Sequence, residues 1–189
     1  NPSSNSNSGQ SFVLYGGDFS NTVTHQGTSS ADTLTGTSSA NVMVGGDGGD
    51  AIDGKGGADS LRGGAGADSL TVSDLTFLRI DGGNGSDKLV LAGSGHNLNL
   101  TTTSNLKITS IEKIDISGSG ANTLTLNLGD VLDMSDSVSS NRTQLLIDGG
   151  ADDSVTSTSQ SWSASGTTTV SGNNYNVFVS SYTRKLVTA

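Results

Sequence analysis

The chain has 189 residues, a net charge of -9, 27 glycines, no cysteine and only 4% aromatic residues. This balance excludes a disulfide scaffold and a basic face for nucleic acid or anionic lipid, and it leaves few large side chains for a conventional core. The longest apolar runs, such as Leu145-Leu146-Ile147, are far too short to span a membrane. Glu112 is the single Glu, so every other acid is Asp, whose short arm suits turns and hard-cation sites. Without disulfides, bound metal is the remaining staple for so glycine-rich a chain.

Residues 1–26 read as a linker and an N-terminal capping strand: 1–11 are polar and rich in Ser and Asn, and 12–15 are strand-like, ending at Gly16-Gly17. A nine-residue beat then begins, with contiguous frames starting at Gly27, Gly36, Gly45, Gly54 and Gly63 and a further copy at Gly82. The best formed read GGDGGDAID, GKGGADSLR, GGAGADSLT and GGNGSDKLV. Each frame has Asp or Asn at its sixth place (Asp32, Asn41, Asp50, Asp59, Asp68, Asp87) and an apolar residue at its eighth (Leu34, Met43, Ile52, Leu61, Leu70, Leu89). The first two frames, GTSSADTLT and GTSSANVMV, have lost most of their glycines, as terminal repeats of a solenoid often do. Residues 72–81 lack the Gly-Gly start and replace one half-coil.

After about Leu91 alternating strand-like segments take over, at 98–101, 106–108, 111–117, 123–128, 144–147, 167–171 and 175–180. The last two read as a hairpin turning at Gly172-Asn173-Asn174, and one helical turn fits at 130–135. The expected fold is all-β: a parallel β-roll, or β-solenoid, over 27–98, continuing into a β-sandwich-like or irregular β-region over 99–189.

A nine-residue frame holds a six-residue turn and a three-residue strand, so two frames close one flattened coil. Turns two frames apart then stack on one edge, about 4.8 Å apart, with the eighth residue facing inward. That spacing lets stacked turns share an ion, and calcium fits best: it accepts six to eight carbonyl and carboxylate oxygens in irregular geometry, whereas magnesium needs tight octahedra and zinc needs His or Cys. The register predicts ions between Asp32 and Asp50, between Asp50 and Asp68, between Asn41 and Asp59, and, with 72–81 as a half-coil, between Asp68 and Asp87. Three to four or more ions follow. Without them, two stacked charges about 4 Å apart cost roughly 4 kcal/mol at an effective dielectric near 20. An ion at a hundred times its dissociation constant contributes about 2.7 kcal/mol. Calcium should therefore decide whether the roll folds.

These motifs resemble the RTX (repeats-in-toxin) family, whose nonapeptide is GGxGxDx(apolar)x. In that family the sixth-place Asp and the carbonyls of places one, three and five ligate calcium. The resemblance carries this over to Gly45, Asp47, Gly49 and Asp50, to Gly54, Gly56, Ala58 and Asp59, to Gly63, Ala65, Ala67 and Asp68, and to Gly82, Asn84, Ser86 and Asp87. Asp32 and Asn41 match by their sixth place. Lys55 and Asn41 depart from the pattern. The run ITSIEKIDISGSGANTLTLNLGDVLDMSD, with LLIDGGADDSV and SGNNYNVFVSS, resembles the C-terminal region of large RTX adhesins. That resemblance implies type I secretion machinery as a partner, an extracellular or cell-surface location, and an undefined host or surface ligand. The expected function is a non-enzymatic extracellular calcium-binding module whose folding accompanies secretion of an adhesin. The alternatives are the folding helper of a secreted RTX protease, lipase or epimerase, or a ligand-binding adhesion domain; no HExxH or GxSxG motif occurs.

Overall fold

The computed structural model describes residues 23–134, 138–139, 142–158, 162–170, 173–180 and 185–188. The polar lead-in, the capping strand expected at 12–15 and Gly172 lie outside them.

Each frame contributes one short strand, and successive frames alternate between two parallel sheets. One sheet holds β1 (His25–Gln26), β3 (Val42–Asp47), β5 (Ser60–Gly66), β7 (Arg79–Gly85) and β10 (Ile108–Thr109). The other holds β2 (Thr33–Thr35), β4 (Ala51–Asp53), β6 (Ser69–Val72), β8 (Lys88–Leu91), β11 (Lys113–Asp115) and β14 (Arg142–Asp148). Leu34 lies beside Ile52, Ile52 beside Leu70, and Leu70 beside Leu89, so frames two apart are in register. Ser60 pairs with Arg79 and Ser69 with Lys88, one residue beyond the two-frame offset, which is the extra residue of 72–81 absorbed as a half-coil.

The eighth-place residues are the inner wall. Met43, Ile52, Leu61, Leu70 and Leu89 are at most 1% exposed, while their neighbours along each strand face outward. Burying one such side chain contributes about 1.5–3 kcal/mol, and stacking makes the core continuous.

Beyond residue 98, in the expected β-sandwich-like or irregular β-region, the parallel stacking continues. Ile114 of β11 lies on Leu89, and Ile147 of β14 lies on Ile114. These strands keep their apolar residues inward, Ile114 in β11 and Leu145 and Ile147 in β14, so they extend the same wall although the intervening loops lengthen. A third parallel sheet, β9 (Asn97–Asn99), β12 (Thr123–Leu126) and β15 (Ser154–Ser157), adds Leu98, Leu124 and Val155 to the same core. Antiparallel pairing among the described residues is confined to β13 (Val138–Ser139) on β14 and to β16 (Trp162–Val170), β17 (Asn173–Ser180) and β18 (Lys185–Thr188). The expected hairpin is present as β16 and β17, but Val170 pairs with Asn173, so Asn173 and Asn174 are strand residues. Leu106, expected in a strand, is instead 76% exposed ahead of β10.

The helical turn expected at 130–135 is α1 (Leu128–Met134). Its start is a reciprocal cap: Asn127 N–H donates to Asp130 Oδ2 at 2.6 Å, and Asp130 N–H donates to Asn127 Oδ1 at 3.1 Å.

Leu70→Ala should cost about 2–5 kcal/mol in denaturant melts at saturating calcium. Leu106→Ala should stay within about 0.5 kcal/mol, because it removes no buried surface.

Candidate metal centre

Four turns stack on one edge of the roll, at residues 27–32, 45–50, 63–68 and 82–87, and their acids form a ladder. Asp32 N–H donates to Asp50 Oδ1 at 2.8 Å, Asp50 N–H to Asp68 Oδ1 at 2.7 Å, and Asp68 N–H to Asp87 Oδ1 at 2.8 Å. On the opposite edge Asn41 N–H donates to Asp59 Oδ1 at 2.8 Å. One oxygen each of Asp50, Asp59, Asp68 and Asp87 therefore holds the preceding coil, which explains why a short acid recurs at the sixth place.

The second oxygen is the unusual one. Asp50, Asp68 and Asp87 are 1–2% exposed, yet the Oδ2 atom of each has no hydrogen-bond partner. A buried carboxylate oxygen without a donor or a cation is strongly unfavourable. Among the described residues no Lys or Arg pairs with these three acids; the ion pairs there include Lys55–Asp53, Arg79–Asp81, Lys88–Asp115 and Lys113–Asp148.

Main-chain carbonyls converge on the same places. A methyl group added to Gly45 would collide with its own turn's Asp50 Oδ2 and sit 2.6 Å from the carbonyl of Gly63 in the next coil. One added to Gly63 would collide with Asp68 Oδ2 and the Gly82 carbonyl. On the other edge, one added to Gly54 would lie 2.6 Å from Asp59 Oδ2. Gly45, Gly54, Gly63 and Gly82 are buried, so places one and six come together inside the turn. Places three and five form its outer rim: Asp47, Gly49, Ala67, Asn84 and Ser86 are exposed, and Gly56, Ala58 and Ala65 half-buried. The Ala65 carbonyl accepts Gly48 N–H at 2.7 Å. Gly46 and Gly64 hold φ of 120° and 127°, which only glycine adopts at ease, whereas Lys55 at the matching place holds 65° and pairs with Asp53 at 2.7 Å.

The donor set is all oxygen. No three His, Cys, Asp or Glu side chains cluster among the described residues, so a side-chain cage of the zinc kind is missing there. One or two buried carboxylates with surrounding carbonyls fit calcium, which accepts such oxygens in flexible geometry. His96 Nε2 instead contacts the Ala92 carbonyl at 2.9 Å.

Residues 26–61 and 44–73 match the family model of the RTX calcium-binding nonapeptide repeat (4 copies). The repeats are RTX calcium-binding nonapeptides. No curated protein and no solved structure matches the chain. The RTX match ends at residue 73, while the carboxylate ladder runs on to Asp87.

The first two RTX frames differ from the rest in a way the consensus does not convey. Asp32 Oδ2 accepts both Thr28 N–H at 2.6 Å and Thr28 Oγ1 at 2.8 Å. Asn41 Oδ1 accepts Thr37 N–H at 2.7 Å and Thr37 Oγ1 at 3.3 Å. Threonine at the second place adds a hydroxyl donor that Gly46, Gly64 and Gly83 lack. Asp74, in the ten-residue half-coil, reaches the opposite edge and accepts Gly57 N–H at 2.9 Å. Thr28 and Thr37 were visible as a repeated GTSS motif; Asp74 carries no periodic signal.

Burial holds the carboxyls of Asp59 and Asp68 above the usual carboxylate range, against the N–H bond each accepts and with added repulsion from Asp74 and Asp50 respectively. Asp87 is pushed to about 6, first by burial and then by the charges of Asp68, Glu112 and Asp81, against the N–H bond from Asp68. A carboxyl whose folded pKa exceeds its unfolded one binds protons more tightly in the fold. The metal-free fold therefore gains stability as pH falls through about 6 toward the unfolded range near 4. In chelator, the fraction of chains with β structure should rise as pH falls from about 7 to 5; in excess calcium the melting temperature should fall over the same interval, because protons compete for the ion's oxygens. Asp68→Asn should raise stability in chelator by about 1–3 kcal/mol while weakening calcium binding. Far-UV circular dichroism reads both effects, as folded fraction in chelator and as thermal melts in calcium.

Proposed function

We propose that this chain is a non-enzymatic extracellular module whose RTX roll folds on calcium, and that it belongs to a bacterial adhesin exported by type I secretion. The observation that carries the folding claim is the ladder of buried, unpartnered oxygens at Asp50, Asp68 and Asp87. Neighbouring carboxylates about 4.8 Å apart repel by roughly 3–4 kcal/mol at an effective dielectric near 20, so the metal-free turns resist stacking. A cation reverses the sign of that term. The ions are assigned between Asp50 and Asp68 and between Asp68 and Asp87, where unpartnered oxygens face carbonyls, and between Asp59 and the Asn41 turn on the other edge. The Asp32 and Asp50 turns share a further, weaker position, since Thr28 already serves Asp32.

Extracellular calcium modules bind at about 10⁻⁴–10⁻³ M, far above cytosolic calcium. A chain tuned to that range stays unfolded and export-competent inside the cell and folds outside. The adhesin context is supported by the resemblance of residues 108–181 to the C-terminal region of large RTX adhesins. No helix among the described residues is long and apolar enough to cross a membrane.

Far-UV circular dichroism during a calcium titration tests the reading. β structure should appear cooperatively near 10⁻⁴–10⁻³ M calcium, and structure already complete in chelator would contradict it. Asp50→Ala with Asp68→Ala should move the midpoint at least tenfold higher; an unchanged midpoint would remove these two acids from the ion sites.

A further inference from the structure

The last unpartnered acid, Asp87, does not face another nonapeptide turn. The strand registers place Thr109 beside Asp81 and Lys113 beside Lys88, so residues 110–112 close the edge that 82–87 close one coil earlier. This short segment reproduces the key features of a repeat turn. A methyl group on Gly82 would collide with the Ser110 carbonyl and lie 2.7 Å from Asp87 Oδ2, just as one on Gly63 meets the Gly82 carbonyl and Asp68 Oδ2. Glu112 Oε2 accepts Asp87 N–H at 2.8 Å, as Asp87 Oδ1 accepts Asp68 N–H. Glu112 is 6% exposed and Asp87 1% exposed, and Asp87 Oδ2 has no hydrogen-bond partner. The chain's single Glu thus stands at the next rung of a ladder otherwise built from Asp.

We propose that Asp87, Glu112 and the Ser110 carbonyl form a further calcium site at the seam between the last nonapeptide turn and the coil that follows it. The proposal rests on the calcium reading of the repeats and extends it past their end. Two carboxylates balance the charge of a divalent cation, and carbonyls with water complete an oxygen shell. The site also gives calcium a hold on the non-repeat region. Ile111 N–H donates to the Met134 carbonyl at 2.7 Å, and Leu146 N–H donates to the Glu112 carbonyl at 2.9 Å. An ion at this seam fastens the end of α1 and strand β14 to the roll.

Glu112→Gln keeps an oxygen for Asp87 N–H while removing the charge. By native mass spectrometry at saturating calcium, this variant should carry one ion fewer than the unsubstituted protein; equal loading would overturn the proposal. Anomalous scattering from crystals of the unsubstituted protein grown with calcium decides the matter even if the variant fails to fold. A peak bounded by Asp87, Ser110 and Glu112 is the expected result, and peaks at the Asp50 and Asp68 turns with none at this seam would overturn the site alone. Absence of peaks from every turn would overturn the calcium reading of the repeats and this site with it.

Discussion

A carboxylate that gives one oxygen to the backbone of the preceding coil and leaves the other buried without a donor is the constraint on which the rest of this structure depends. The first oxygen stitches coil to coil: Asp50 holds Asp32, Asp68 holds Asp50, and Asp87 holds Asp68. The second oxygen makes the stitched state costly in the absence of a cation. The side chain that sets the register of the roll is thus also the one that, on the proposed reading, makes it conditional on calcium. Apolar stacking of Ile52, Leu70 and Leu89 favours the coil but contributes only one or two inward residues per short strand.

Away from the middle of the roll the same geometrical problem is solved with protein donors. Thr28 and Thr37 satisfy the outward oxygens of Asp32 and Asn41. In the third sheet Asn122 Oδ1 accepts His96 N–H at 3.0 Å, while its amide donates to the Ile116 carbonyl at 3.0 Å and to those of Gly93 and Gly120 at 3.3 Å. There an amide nitrogen sits among converging carbonyls much as a cation would. Asp153 continues that ladder by accepting Asn122 N–H at 2.7 Å, and Gly150 N–H serves its other oxygen at 2.6 Å. The turns with unpartnered carboxylate oxygens are thus flanked, among the described residues, by turns with donors of their own.

The nine-residue period made the roll legible because geometry ties it to two observable residue classes, a buried apolar residue and a turn acid. It placed Leu34, Ile52, Leu70 and Leu89 on one wall and recognised residues 72–81 as a half-coil. It also brought together Asp50, Asp68 and Asp87. The later coils were less legible. Ile114 and Ile147 occupy the same wall, but the loops between them vary in length, so no fixed period marks them and alternation alone suggests a sandwich. Glu112 was hidden for a related reason: it closes a shortened turn with no glycine pattern, and only the backbone register shows that it stands where an Asp would. The donor role of Thr28 and Thr37 was present in the sequence as a repeated GTSS, but its meaning needed the carboxylate and amide oxygens they reach.

Hydrogen exchange at the amides of Asp32, Asp50 and Asp68 tests the central claim most directly, because these N–H groups are the stitches between coils. With calcium bound they should be among the slowest in the molecule, and in chelator at neutral pH they should exchange at rates near those of an unfolded chain. Strong protection that persists in chelator would show that the ladder stands without the ion, and would contradict the account.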